Sequence, residues 1–124
     1  MKRIISLFSI MTLAFTGCYY DVERELYGSV PSTPCDTANI SYSVQINPML
    51  NANGCFSCHS SSAPLGNVTL DNYAGVKAKV TDGRLKGAIN HSPGFSPMPQ
   101  GGNKLSACEI SKIESWIAAG APQN

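Results

Sequence analysis

Cys55-Phe56-Ser57-Cys58-His59 sets two thiols at C-x-x-C spacing with an imidazole directly behind the second. That spacing is the attachment pattern of a c-type haem. The two sulfurs can each add to a vinyl group on one edge of a porphyrin, and the adjoining imidazole can then bind the iron from one face. Two other chemistries use paired cysteines. A redox-active dithiol belongs beside a βαβ pattern, and no such alternation is visible. A structural zinc site needs four ligands. Cys35 and Cys108 could complete it, but they stand alone, without a second close pair. The spacing therefore predicts one covalent haem c, held by Cys55 and Cys58, with His59 as the proximal iron ligand.

The chain has 124 residues, enough for one compact domain. Its first residues do not belong to that domain. Lys2 and Arg3 precede an apolar run, Ile4 to Thr16, of signal-peptide length and too short to span a bilayer. The run ends in Phe15-Thr16-Gly17-Cys18, which resembles the lipobox of bacterial lipoproteins, although Phe15 stands where that motif usually has Leu. The resemblance implies cleavage after residue 17 and lipid on Cys18. An ordinary signal peptide would leave Cys18 an odd thiol. Export fits the haem motif, because c-type haem is attached on the outer side of the bacterial cytoplasmic membrane. The expected location is the periplasmic side of a membrane, inner or outer.

Loss of Lys2 and Arg3 takes the nine basic residues down to seven against eight acidic ones. A nucleic-acid partner, which needs a basic face, is not expected. With Cys18 on lipid and Cys55 and Cys58 on haem, Cys35 and Cys108 remain. In an oxidising compartment they would most simply form a disulfide, closing a loop of about 74 residues worth about 4 kcal/mol in the chain-entropy model; the alternative is two free buried thiols.

Residues 18–38 carry charges, Pro31, Pro34 and Gly28 with little periodicity, and are expected to be a tether that reaches roughly 60 Å if fully extended. The folded domain is expected over 39–124. Tyr42, Val44, Ile46, Met49 and Leu50 suggest a first helix, bent or delimited by Pro48. Residues 60–66 look like loop. Leu70, Tyr73, Val76 and Val80 predict a helix with Asp71 near its start, broken at Thr81-Asp82-Gly83. Leu85, Ala88 and Ile89 predict a further short helix before His91. Residues 92–102 hold three prolines and three glycines, which exclude a regular element. In the last helix Ser106 and Glu109 form a capping box, Leu105 and Ile110 a hydrophobic staple, and Gly120 fits the C′ position. Ile110, Ile113, Trp116 and Ile117 make its apolar stripe. The fold class is all-α.

Helix, C-x-x-C-H, loop, short helices, Met loop and closing helix, in this order, resemble a class I-type cytochrome c domain. The segments Asn53 to His59, Leu70 to Tyr73, Met98 to Gly102 and Trp116 to Pro122 are similar to those of small lipoprotein cytochromes of Bacteroidetes-like bacteria. The resemblance implies three to five short helices around the haem, with the first and last crossing and Trp116 packing between them or against the haem. It also implies a Met ligand from the Pro97-Met98-Pro99 loop. Met49 lies on the attachment side, so Met98 is the expected distal ligand, with His91 as the alternative. His59 should donate its second ring N–H to a carbonyl of the Ala63-Pro64 loop.

The expected function is a membrane-tethered monohaem electron carrier between a donor and an acceptor redox protein, not an enzyme and without a small-molecule substrate. The alternatives are a haem enzyme or sensor with a labile sixth ligand, and a subunit of a larger oxidoreductase complex.

Overall fold

The computed structural model describes residues 34–124. The signal segment 1–17, the lipidation site Cys18 and the tether as far as residue 33 lie outside the described residues. Residues Pro34–Asn124 form one compact unit, mostly helical with few strands. A π-helical turn, Tyr42–Ile46, leads into α1 (Asn47–Ala52) and then α2 (Cys55–Cys58). β1 (His59–Ser60) and β2 (Ala63–Pro64) follow, then a 3-10 turn at Leu65–Asn67. The chain ends in α3 (Tyr73–Thr81), α4 (Arg84–Ile89) and α5 (Ala107–Ala118).

The start of the first helix is tied to the far end of the chain. Ser41 Oγ accepts from Val44 N–H at 3.3 Å. The side-chain oxygen of Asn124 accepts from Tyr42 N–H at 2.8 Å, and its backbone oxygen accepts from Ser43 N–H at 2.9 Å. Three N–H groups that a helix N-terminus leaves without partners are thereby satisfied. Pro48 sits at the junction between the π-helical turn and α1. The turn before it is widened, Asn47 N–H donating back to Tyr42, and Pro48 itself stands in the first turn of α1, where its missing N–H costs nothing. The buried face is Tyr42, Ile46 and Leu50, four residues apart. Val44, expected on that face, falls two residues from each neighbour and is 69% exposed.

Two further expectations need correction. Residues 60–66 are not plain loop, because Ser60 pairs with Ala63 and His59 with Pro64 in a small antiparallel hairpin. α3 begins later than the apolar spacing suggests. Asn72 caps it through Gly75 N–H at 2.9 Å, with Asp71 one residue before the cap, near the start as expected. Asp71 is drawn away to the hairpin, where Ser61 N–H and Oγ donate to its carboxylate at 2.7 and 2.9 Å. Those two bonds, the backbone one first, hold the Asp71 carboxyl below its ordinary value.

α5 follows its sequence signals closely. Ser106 and Glu109 form the reciprocal capping box, and Leu105 and Ile110 are both buried. At the other end Gly120 N–H donates to Ile117 O and Ala121 N–H to Trp116 O, both at 2.9 Å. This is a Schellman turn, with Gly120 at φ 90°. Trp116 is fully buried, and its indole N–H donates to Pro122 O at 3.0 Å. Its ring lies 5.8 Å from that of Tyr42, which meets Tyr73 edge-on at 5.1 Å. Tyr73 Oη in turn donates to Ala121 O at 2.8 Å. The resemblance segments around Tyr73 and Trp116 thus have a shared structural role: an aromatic cluster that joins the first, third and last helices.

Candidate functional site

A cavity of about 900 Å³ opens on one side of the domain, at the upper end of the usual size for a small-molecule or cofactor site. Leu50, Leu70, Leu85, Ile89 and Leu105 form much of its wall, and Cys55, Cys58, His59 and Met98 all line it. Residues from 55 to 98 in the sequence are brought to one space. Met49 and His91, the other Met and imidazole weighed as ligands, are not in the wall. Trp116 is not in it either and serves the core.

Each donor is held by backbone geometry. Gly54, at φ 72°, turns the chain from α1 into the single turn of α2, and this presents Cys55 and Cys58. His59 follows at once, pinned from both sides. Its carbonyl accepts from Leu70 N–H at 2.6 Å, and its Nδ1 lies 3.1 Å from Leu65 O. A carbonyl can only accept, so Nδ1 carries a proton, and in the neutral ring Nε2 keeps its lone pair. The partner is one residue beyond the Ala63-Pro64 pair expected from the sequence, because β2 runs to Pro64 and the following turn aims the Leu65 carbonyl back.

The state of the sulfurs argues against the two rival chemistries. Burial pushes the Cys55 thiol above its ordinary value; a backbone hydrogen bond opposes this, and the Glu109 charge adds to it. A dithiol nucleophile needs the opposite shift. Cys35 and Cys108 stand at disulfide distance, 2.08 Å between sulfurs and 5.5 Å between Cα atoms, so they are not available as thiolates. Among the described residues no group of three or more His, Cys, Asp or Glu side chains is placed to hold a metal ion by itself.

The residues fit a porphyrin. The wall is mostly apolar, as the faces of the ring require, and it holds two thiols free of any disulfide. The charged residues in it are both cations, Lys79 and Arg84, which suits the acidic edge of a haem. Asp82 steadies them at 3.0 and 3.6 Å. Leu65 and Phe95 are large apolar residues left 60% and 40% exposed. Both line the cavity, where a bound ring would cover them.

Sequence reasoning missed several contributors. Asn53 donates its amide to Glu109 at 2.8 Å and to Met49 O at 2.9 Å, which links the lead into the C-x-x-C-H motif with the first turn of α5. Phe95 lies flat on Gly87, where any Cβ would overlap its ring. No local pattern pairs residues 56 apart; only the capping box hinted that Glu109 has a fixed position. The chain matches no protein-family model, no curated protein and no solved structure.

Proposed function

We propose that the protein is a monohaem c-type cytochrome that carries single electrons between envelope redox proteins, tethered to a membrane through Cys18. The observation that carries this is the convergence of Cys55, Cys58, His59 and Met98 on one apolar cavity of suitable size. One-electron exchange is the chemistry that haem supplies when bound.

The chain's own residues determine how that chemistry is used. Cys55 and Cys58 would hold one edge of the ring through thioethers. His59 offers Nε2 to the iron, its ring orientation fixed by Leu65 O. Met98 would supply a thioether on the other side, which raises the reduction potential relative to a second imidazole. With His59 and Met98 both holding the iron, no site would remain for oxygen or peroxide. Leu50, Leu70, Leu85 and Ile89 line the interior and would exclude water from it. One electron arrives from a donor protein and leaves to an acceptor, with no bond made or broken.

A reduced-minus-oxidised optical spectrum tests the proposal. Sharp low-spin haem bands are expected, together with a haem stain that survives denaturation and is lost in the Cys55→Ser, Cys58→Ser double variant. A colourless mature protein, or a zinc-loaded one, would refute the proposal. Rapid, tight carbon monoxide binding by the native reduced form would replace the carrier with a ligand-binding haem protein.

A further inference from the structure

α4 ends in a Schellman turn. His91 N–H donates to Ala88 O at 3.1 Å and Ser92 N–H to Gly87 O at 2.9 Å. The residue at the C′ position must adopt left-handed backbone, and glycine does so most cheaply. After α5 that position is Gly120; after α4 it is His91, at φ 53°. A side chain kept there against its backbone preference calls for a reason.

The imidazole supplies one. His91 Nε2 donates to Met98 O at 3.0 Å, and Met98 N–H donates to Ala88 O at 3.1 Å. Both backbone groups of Met98 are therefore bonded to the end of α4. Between the two anchors the chain folds over as a loop whose Phe95 ring lies against Gly87. Met98 lines the cavity and His91 does not.

We infer that His91 is a positioning residue for Met98: it clamps the backbone from which the thioether reaches into the cavity. The two candidates for distal ligand thus become a ligand and its support. This role depends on the haem assignment proposed above, though the clamp itself can be measured without haem.

The test compares the full-length protein with His91→Ala and His91→Gln. Both substitutions keep an L residue at φ 53°, and only Gln restores a side-chain N–H donor. Three readouts apply: the thioether-to-ferric-iron absorption band, cyanide affinity of the oxidised protein, and hydrogen exchange of the Met98 amide. In His91→Ala the band should weaken, and cyanide affinity and Met98 exchange should each rise roughly two- to tenfold, the factor that one net hydrogen bond is worth. His91→Gln should recover most of each. Wild-type behaviour of His91→Ala, or a Gln variant as loose as the Ala variant, would overturn the inference. So would a wild-type spectrum of two imidazole ligands, since His91 would then bind iron directly. If the wild type proves colourless, the haem assignment fails. Met98 exchange then decides the clamp alone: faster in the Ala variant than in the other two supports it, and equal rates overturn it.

Discussion

Glu109 joins the helix cap to the cavity wall. One carboxylate oxygen accepts from Asn53 at 2.8 Å; the other accepts from Ser106 N–H at 2.9 Å and Oγ at 2.7 Å. The Asn53 amide first, and the Ser106 hydroxyl next, hold its carboxyl below the ordinary 4.5; slight burial opposes them, while Ser106 N–H and Lys112 assist. The folded state favours the charged form, so Glu109 contributes stability that is complete above about pH 4.5 and is lost as pH falls through its lower folded value. Urea midpoints measured from about pH 6 down to about pH 3 should fall less steeply in Glu109→Gln than in the wild type below pH 4.5. Equal slopes would show that Glu109 carries none of the acid sensitivity. On the proposed haem assignment, the effect at Met98 is expected on the iron rather than on the fold. Met98→Ala should lower the reduction potential and admit carbon monoxide or imidazole. An unchanged spectrum in that variant would exclude Met98 as ligand.

Among the elements, α5 has the most local definition, and its two ends can be tested separately. Ser106→Ala removes the acceptor for Glu109 N–H and should cost about 1 kcal/mol. Gly120→Ala puts a Cβ at φ 90°, with open space around it, and should cost about 1–2 kcal/mol through backbone preference alone. Urea unfolding at neutral pH measures both, and the two should add, because they lie at opposite ends of the helix. Both ends of α5 were legible in the sequence because capping signals act over three or four residues. The first helix was only partly legible. Its apolar residues were correct as a group, but the widened turn put Val44 on the solvent side, and periodicity alone does not reveal such a turn. At α3, Asp71 and Asn72 are both good caps, and only the distant Ser61 decides between them. The same limit holds in the cavity. The C-x-x-C-H spacing and the Pro97-Met98-Pro99 loop point to its donors, but not to Leu65 O, the Asn53–Glu109 link or the His91 clamp, each of which is made by the folded chain.

At the scale of the whole molecule, thirteen buried hydrophobic residues make up the core of the described unit, and a large cavity cuts into it. A small domain with that little core has limited stability of its own. The Cys35–Cys108 bridge, with a sequence separation of 73, fastens the segment before the first helix to the first turn of α5. Ser115 Oγ, donating to Thr37 O at 2.8 Å, holds the same segment two turns further along. The bridge should act mainly on the unfolded chain, by closing a long loop, and contribute up to about 4 kcal/mol. Neither cysteine lines the cavity. Removing the bridge should therefore leave the spectrum and reduction potential of the proposed haem as they are, while the urea midpoint falls. The Cys35→Ser, Cys108→Ser double variant, compared with the wild type by denaturant titration and by spectrum, separates the two effects. A shifted spectrum would mean that the bridge also shapes the cavity, through Glu109 and Asn53. An unmoved midpoint, or free thiols at Cys35 and Cys108 in non-reducing peptide mass analysis, would mean that the domain holds its fold without the crosslink.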